Sequence, residues 1–131
     1  MKSMWGVINK FNKDDTTGII NNGYINAAGR ISDNNLYYVS APISVVANKR
    51  YTWQFGGTTT HTAPTVGFYN SSDNLISVAS HSTATYFSFT TPNNCAYIKA
   101  SVYKSTVNEA MLVEGTNFIE TYHPYYEWVE G

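Results

Sequence analysis

Four stretches between Tyr51 and Val102 place apolar side chains on every second residue, and this alternation constrains the chain more than any other feature. In YTWQF the apolar set is Tyr51, Trp53 and Phe55, and in TVGFY it is Val66 and Phe68. In YFSF it is Phe87 and Phe89, and in YIKASVY it is Ile98, Ala100 and Val102. A period of two is the pattern of a strand with one buried and one wet face. Turn signals separate these runs: Asn70 to Asn74 (NSSDN), the polar loop from Ser80 to Thr85, and Pro92-Asn93-Asn94. Short strands with turns every eight to twelve residues predict an all-β sandwich or barrel. The predicted core is Trp53, Phe55, Val66, Phe68, Phe87, Phe89, Ile98, Val102 and Leu112. Parity with Tyr51 and Phe55 directs Trp53 inward, although a tryptophan is also a tempting ligand platform.

Upstream, the text from Gly18 also reads as strand and turn. Asn22-Gly23 is a dipeptide that accepts positive φ, and AAGR marks a further turn. Pro42 within LYYVSAPISV predicts an edge strand or a break, because proline cannot donate to a sheet ladder. Residues 1–15 read as a lead-in or linker and residues 16–131 as a single domain. Trp5, Ile8 and Phe11 recur every three residues, which suits a short helix there, and minimal helix is expected elsewhere. The run FIETYHPYYEW concentrates aromatic side chains at the C-terminal end. It would close the sandwich by burying Tyr122 and Trp128, or offer an apolar patch to a neighbouring domain or a second copy.

Charge excludes several function classes. The chain has 131 residues with 8 basic and 9 acidic side chains, and only 13% are charged. No basic patch is visible, so nucleic acid is not an expected partner. No apolar run approaches the ~20 residues that cross a bilayer, so membrane insertion is not expected. Lys10 interrupts the N-terminal text too early for a secretory signal core. The single cysteine, Cys95, permits no intramolecular disulfide and reads as a half-buried thiol beside a turn.

Catalysis is not expected either. Between Asn34 and Asn108 the only carboxylate is Asp73, in a turn, whereas glycoside hydrolysis needs two carboxyl groups facing each other. His61, His81 and His123 with Cys95 lack the short spacings of a zinc site. Aromatic content, in contrast, is high at 15%, with 11 tyrosines. Aromatic platforms beside neutral hydrogen-bonding groups suit the apolar faces and hydroxyl rims of sugars. Strand parity turns Gln54, Tyr69, Tyr86, Tyr97, Lys99, Ser101 and Tyr103 away from the core. Arg30, after a glycine turn, could fork onto hydroxyls or a carboxylate. The candidate carbohydrate-binding residues are Arg30, Gln54, His61, Tyr86, Lys99 and Tyr103. A plain outer sheet surface with no ligand is the alternative reading of the same tyrosines.

Three stretches resemble the carbohydrate-binding-module-like, jelly-roll domains of phage tail, baseplate and receptor-binding proteins. They are GRISDNNLYYVSAPISVVANKRYTW, VGFYNSSDNLIS, and TTPNNCAYIKASV followed by EAMLVEGTNFIETYHPYYE. Asn70 stands where that family commonly has Asp. The resemblance spans residues 18–127 and implies a jelly-roll (galactose-binding-like) sandwich of two antiparallel sheets. It implies a non-catalytic module that adheres to host cell-surface glycan, located in the virion and acting outside the cell. Other tail or baseplate subunits, and further copies of the chain, are the implied protein partners. A structural interaction domain of the same particle is the alternative function; an accessory module of a polysaccharide-degrading enzyme is a more distant one. No cofactor is expected. A structural calcium ion, which such domains often carry, could draw on Asp14, Asp15 and Asp33 with backbone carbonyls.

Overall fold

A computed structural model describes residues 8–56, 61–62, 65–80 and 83–125, with only the backbone described at 61–62 and 83–84. The alternating stretches are strands, and the chain is all-β with two antiparallel sheets. The strands are β1 (Ile20–Ile25), β2 (Ile31–Val39), β3 (Ile43–Ser44), β4 (Arg50–Gln54), β5 (His61–Thr62) and β6 (Val66–Tyr69). They continue with β7 (Leu75–Ala79), β8 (Thr83–Ala84), β9 (Tyr86–Thr90), β10 (Tyr97–Tyr103) and β11 (Met111–Glu114). The larger sheet has the order β1-β2-β10-β6-β7, with β3 also paired to β10. The smaller sheet has the order β11-β4-β9, and β5 pairs with β8 separately.

Pro42 does break a strand, and the break is mended by a neighbouring side chain. β2 and β3 lie along the same edge of β10, on either side of residues 40–42. Within the gap the Ser40 amide donates to the Ala100 carbonyl at 2.9 Å, and the Ala100 amide donates to Ser40 Oγ at 2.9 Å. The buried Ala100 amide therefore keeps an acceptor where the strand is interrupted.

The core forms between the two sheets, and every residue of the predicted core is buried in it. Trp53 faces inward with no exposed surface, edge-on to Phe11 at 5.2 Å between ring centroids. Phe68 and Phe89, from opposite sheets, meet at 5.4 Å. Cys95 is buried beside the Pro92 turn, and burial pushes its thiol pKa up.

The N-terminal expectation needs correction. Residues 8–15 contain no helix; Phe11 of the period-three set packs into the core of the sandwich instead. Asn9 and Phe11 are both buried. Asn9 Oδ1 accepts from the Phe11 and Leu112 amides, and the Lys10 amide donates to the Leu112 carbonyl at 2.8 Å. The lead-in thus occupies the free edge of β11, an edge that would otherwise present unpaired backbone groups. Trp5 lies outside the described residues. The Asn22-Gly23 pair also does something other than reverse the chain. Asn22 has φ 59° and sits at a bulge within β1, where the register with β2 shifts. The one helix among the described residues is a 3-10 helix, Lys104–Glu109, which the sequence pattern did not reveal.

Candidate functional site

The outer face of the larger sheet carries Tyr97, Lys99, Ser101 and Tyr103 of β10, as alternation predicts, but it is not an open surface. The tip of the β1–β2 hairpin folds across it. Ile25 is fully buried, and its amide donates to Ser101 Oγ at 3.0 Å. Gly67 makes room for this crossing, since a Cβ there would lie 3.3 Å from Ile25 Cδ1 and 3.0 Å from the Tyr69 ring. Farther along, Gly29 (φ 80°) approaches β7 so closely that a Cβ would meet Leu75 Cδ2 at 2.4 Å.

The tyrosines left around this covered patch pair with one another. Tyr69 and Tyr97, directly opposite in the β6–β10 register, stack with centroids 5.1 Å apart and planes 5° from parallel. Lys99 Nζ lies 5.2 Å from the centre of the Tyr69 ring, a cation–π contact. The Tyr97 hydroxyl donates to Asp73 at 3.0 Å. At the other end Tyr37 contacts Tyr24 and Tyr103, at 5.5 and 5.3 Å. Burial pushes the Tyr37 and Tyr69 phenol pKa values up.

The outer face of the smaller sheet is covered in a different way. After β11 the chain doubles back, and residues 115–123 run over the sheet as a strap. One cross-strand row is Tyr86, Gln54 and Met111, in register across β9, β4 and β11. Each member of that row takes a strap residue, in chain order Phe118, Ile119 and His123. Phe118 packs on Tyr86 with ring centroids 4.8 Å apart. Gln54 makes two hydrogen bonds to Ile119: its Oε1 accepts from the amide at 2.8 Å, and its Nε2 donates to the carbonyl at 3.0 Å. The His123 amide donates to Met111 Sδ at 3.3 Å. In the next row Thr52 Oγ1 donates to the Gly115 carbonyl at 2.6 Å, and Ser88 Oγ bonds Thr52 Oγ1 at 2.8 Å.

Under one end of the strap lies a recess of about 400 Å³. Gln54, Met111, Phe118, Glu109, Glu120 and Tyr122 contribute to its wall. At its side Tyr86 and Phe118 remain 40% and 41% exposed, and their contacting rings, tilted by 39°, present aromatic surface to solvent. A second cleft of about 380 Å³ lies between the lead-in, from Ile8 to Asn12, and the 40–44 segment. Among the described residues it has no comparable ring pair, and its buried Asn9 side chain is already committed to the Phe11, Leu112 and His123 backbone.

The six residues expected to bind sugar therefore do not share one surface. Lys99 and Tyr103 lie on the outer face of the larger sheet, and Arg30 is exposed at the hairpin tip that reaches over β7 on that side. Gln54 and Tyr86 lie on the opposite side of the sandwich, beneath and beside the strap. Gln54 is buried and spends both ends of its amide on Ile119, so alternation gave its direction and not its accessibility. His61 lies in β5, and nothing is described of its side chain. His81 and Trp128 fall outside the described residues. Among the described residues, no three His, Cys, Asp or Glu groups gather as metal ligands, and Asp14, Asp15 and Asp33 are no exception.

Phe118, Glu109, Glu120 and Tyr122 were missed as a group. The aromatic density of FIETYHPYYEW was the available signal for Phe118 and Tyr122. Nothing local could bring Glu109, from the 3-10 helix, to the same recess as Glu120 of the strap. Comparison with known proteins adds no relative: no family model, no curated protein and no solved structure matches this chain.

Proposed function

We propose that this chain is a non-catalytic glycan-binding module of a phage tail, baseplate or receptor-binding protein, built as a jelly-roll sandwich and acting at the host surface. The observation that carries the reading is the exposed Tyr86–Phe118 pair beside the strap recess. Two partly exposed rings, one on a sheet strand and one on a strap held by Gln54, form a stiff platform for the apolar face of a pyranose. The recess wall next to it supplies acceptors for hydroxyl groups. This combination of flat apolar area and few polar groups is how small-ligand sites gain orientation as well as affinity. A single site this open binds weakly, and several copies on one particle would multiply the effect. The resemblance of three sequence stretches to tail-associated domains supports the location.

The test is a glycan array probed with the chain displayed at high copy number, beside Tyr86→Ala and Phe118→Ala variants that retain the wild-type melting profile. Loss of binding in both variants is expected. Undiminished binding would move the site off the strap.

A second reading, a structural interaction domain of the same particle, is favoured by one observation. Five tyrosines of the larger sheet, Tyr24, Tyr37, Tyr69, Tyr97 and Tyr103, contact one another through their rings. The absence of saccharide binding by the multivalent wild type would support it over the glycan reading.

A further inference from the structure

A chain pulled from both ends is resisted first by the contacts nearest those ends, and here the two ends of the described chain meet each other. We propose that the pairing of the lead-in with the C-terminal segment is a mechanical clamp, which keeps the sandwich folded while the chain carries tension. Asn9 and Tyr125 form a parallel bridge. Because the two segments run the same way, the chain entering at Asn9 and the chain leaving at Tyr125 are drawn toward opposite ends of that bridge. Tension therefore slides one segment along the other, and the bonds across the pair are loaded together. An antiparallel pair would instead be peeled open one bond at a time. While the clamp holds, the strands between residues 10 and 124 are shielded from the pull. The proposal stands on this geometry and not on either functional reading, since an adhesive module and a structural joint both transmit force.

Each segment is also fastened to the sandwich on its own account, so neither can slide without breaking further contacts. On the lead-in side the Lys10 amide donates to the Leu112 carbonyl at 2.8 Å. Asn9 Oδ1 accepts from the Phe11 amide at 2.9 Å and from the Leu112 amide at 3.1 Å. Phe11 acts as a peg: its ring is 3% exposed and edge-on to Trp53 in the core, so movement of the lead-in has to withdraw it. On the C-terminal side the His123 amide donates to Met111 Sδ, and Gln54 holds both backbone polar groups of Ile119. Asn9 joins the two sides, because its Nδ2 donates to the His123 carbonyl at 2.9 Å. Its side chain thus ties the lead-in to β11 and to the C-terminal segment at once. Only 1% of Asn9 is exposed, so water has poor access to these bonds and cannot readily replace them as they stretch.

The experiment holds the full chain between globular handle domains fused at its two ends and extends it in a single-molecule force instrument. The wild type is expected to unfold in one step, with no earlier release of residues 115–125 at lower force. Forced unfolding is governed by the unfolding barrier, so variants are compared by their unfolding rates at one fixed tension. Asn9→Ala should unfold about tenfold faster than the wild type at that tension, the factor expected when roughly one hydrogen bond is lost from the barrier. Phe68→Leu, which loosens the core on β6, should unfold faster in urea yet match the wild type under tension. Peeling of the C-terminal segment at low force in the wild type would overturn the proposal. Equal acceleration of the two variants under tension would also overturn it, since Asn9 would then act through overall stability alone. Neither result bears on saccharide binding, which the glycan array reads separately.

Discussion

Replacing Gln54 by Met isolates what holds the strap to the sandwich. Gln54 is 3% exposed at the end of β4, and its amide closes a two-bond ring with the backbone of Ile119. Methionine keeps the stem length and most of the volume, so the packing of the side chain against the sheet is largely preserved. What disappears is two hydrogen bonds, each with a net contribution of about 1 kcal/mol. The Ile119 amide and carbonyl would also lose their partners. Ile119 is only half-buried, so water can reach them and the full desolvation penalty does not apply. The expected loss is therefore about 2 kcal/mol. For a chain of this size that corresponds to a melting temperature lower by about 6–10 °C. The same substitution should raise the rate of proteolytic cleavage between residues 115 and 123 more than elsewhere, because local opening precedes cutting. Urea denaturation and limited proteolysis read the two effects. A stability loss below about 0.5 kcal/mol, with an unchanged cleavage pattern, would show that Gln54 does not hold the strap.

Other predictions concern the core and the N-terminal turn. Phe68→Ala removes a ring packed across the sheet interface against Phe89, and should cost about 3–5 kcal/mol in a denaturant melt. A loss below about 1 kcal/mol would contradict its placement in the core. Asp15 accepts a hydrogen bond from the Thr17 amide at 3.0 Å, which holds its carboxyl pKa below the ordinary aspartate value. A carboxylate with a depressed folded pKa contributes stability above its unfolded pKa, about 3.9, and loses it as pH falls through the lower folded value. The stability gap between wild type and Asp15→Ala should thus be constant near neutrality and close in acid. A gap that widens as pH falls would reverse the sign of the argument.

Alternation in the sequence determined which side chains face the core, because a strand has only two faces and burial of apolar area dominates the choice between them. Phe68, Ile98 and Trp53 needed nothing else. Turn chemistry determined where strands stop: Asn70 and Asp73 shape the β6–β7 connection, and Pro42 divides β2 from β3. What covers the outer faces was decided only by the tertiary structure. Ser101 and Gln54 alternate outward like any solvent-facing residue, yet one is buried beneath a hairpin whose Ile25 lies 76 residues earlier and the other lies under a strap whose Ile119 lies 65 residues later. Such long-range crossings depend on how a bulge at Asn22 bends a hairpin and where the chain turns at Gly115. Neither leaves a periodic trace. The recess is of the same kind, since its walls come together where Gly56 admits the 3-10 helix and Gln54 holds the returning strap.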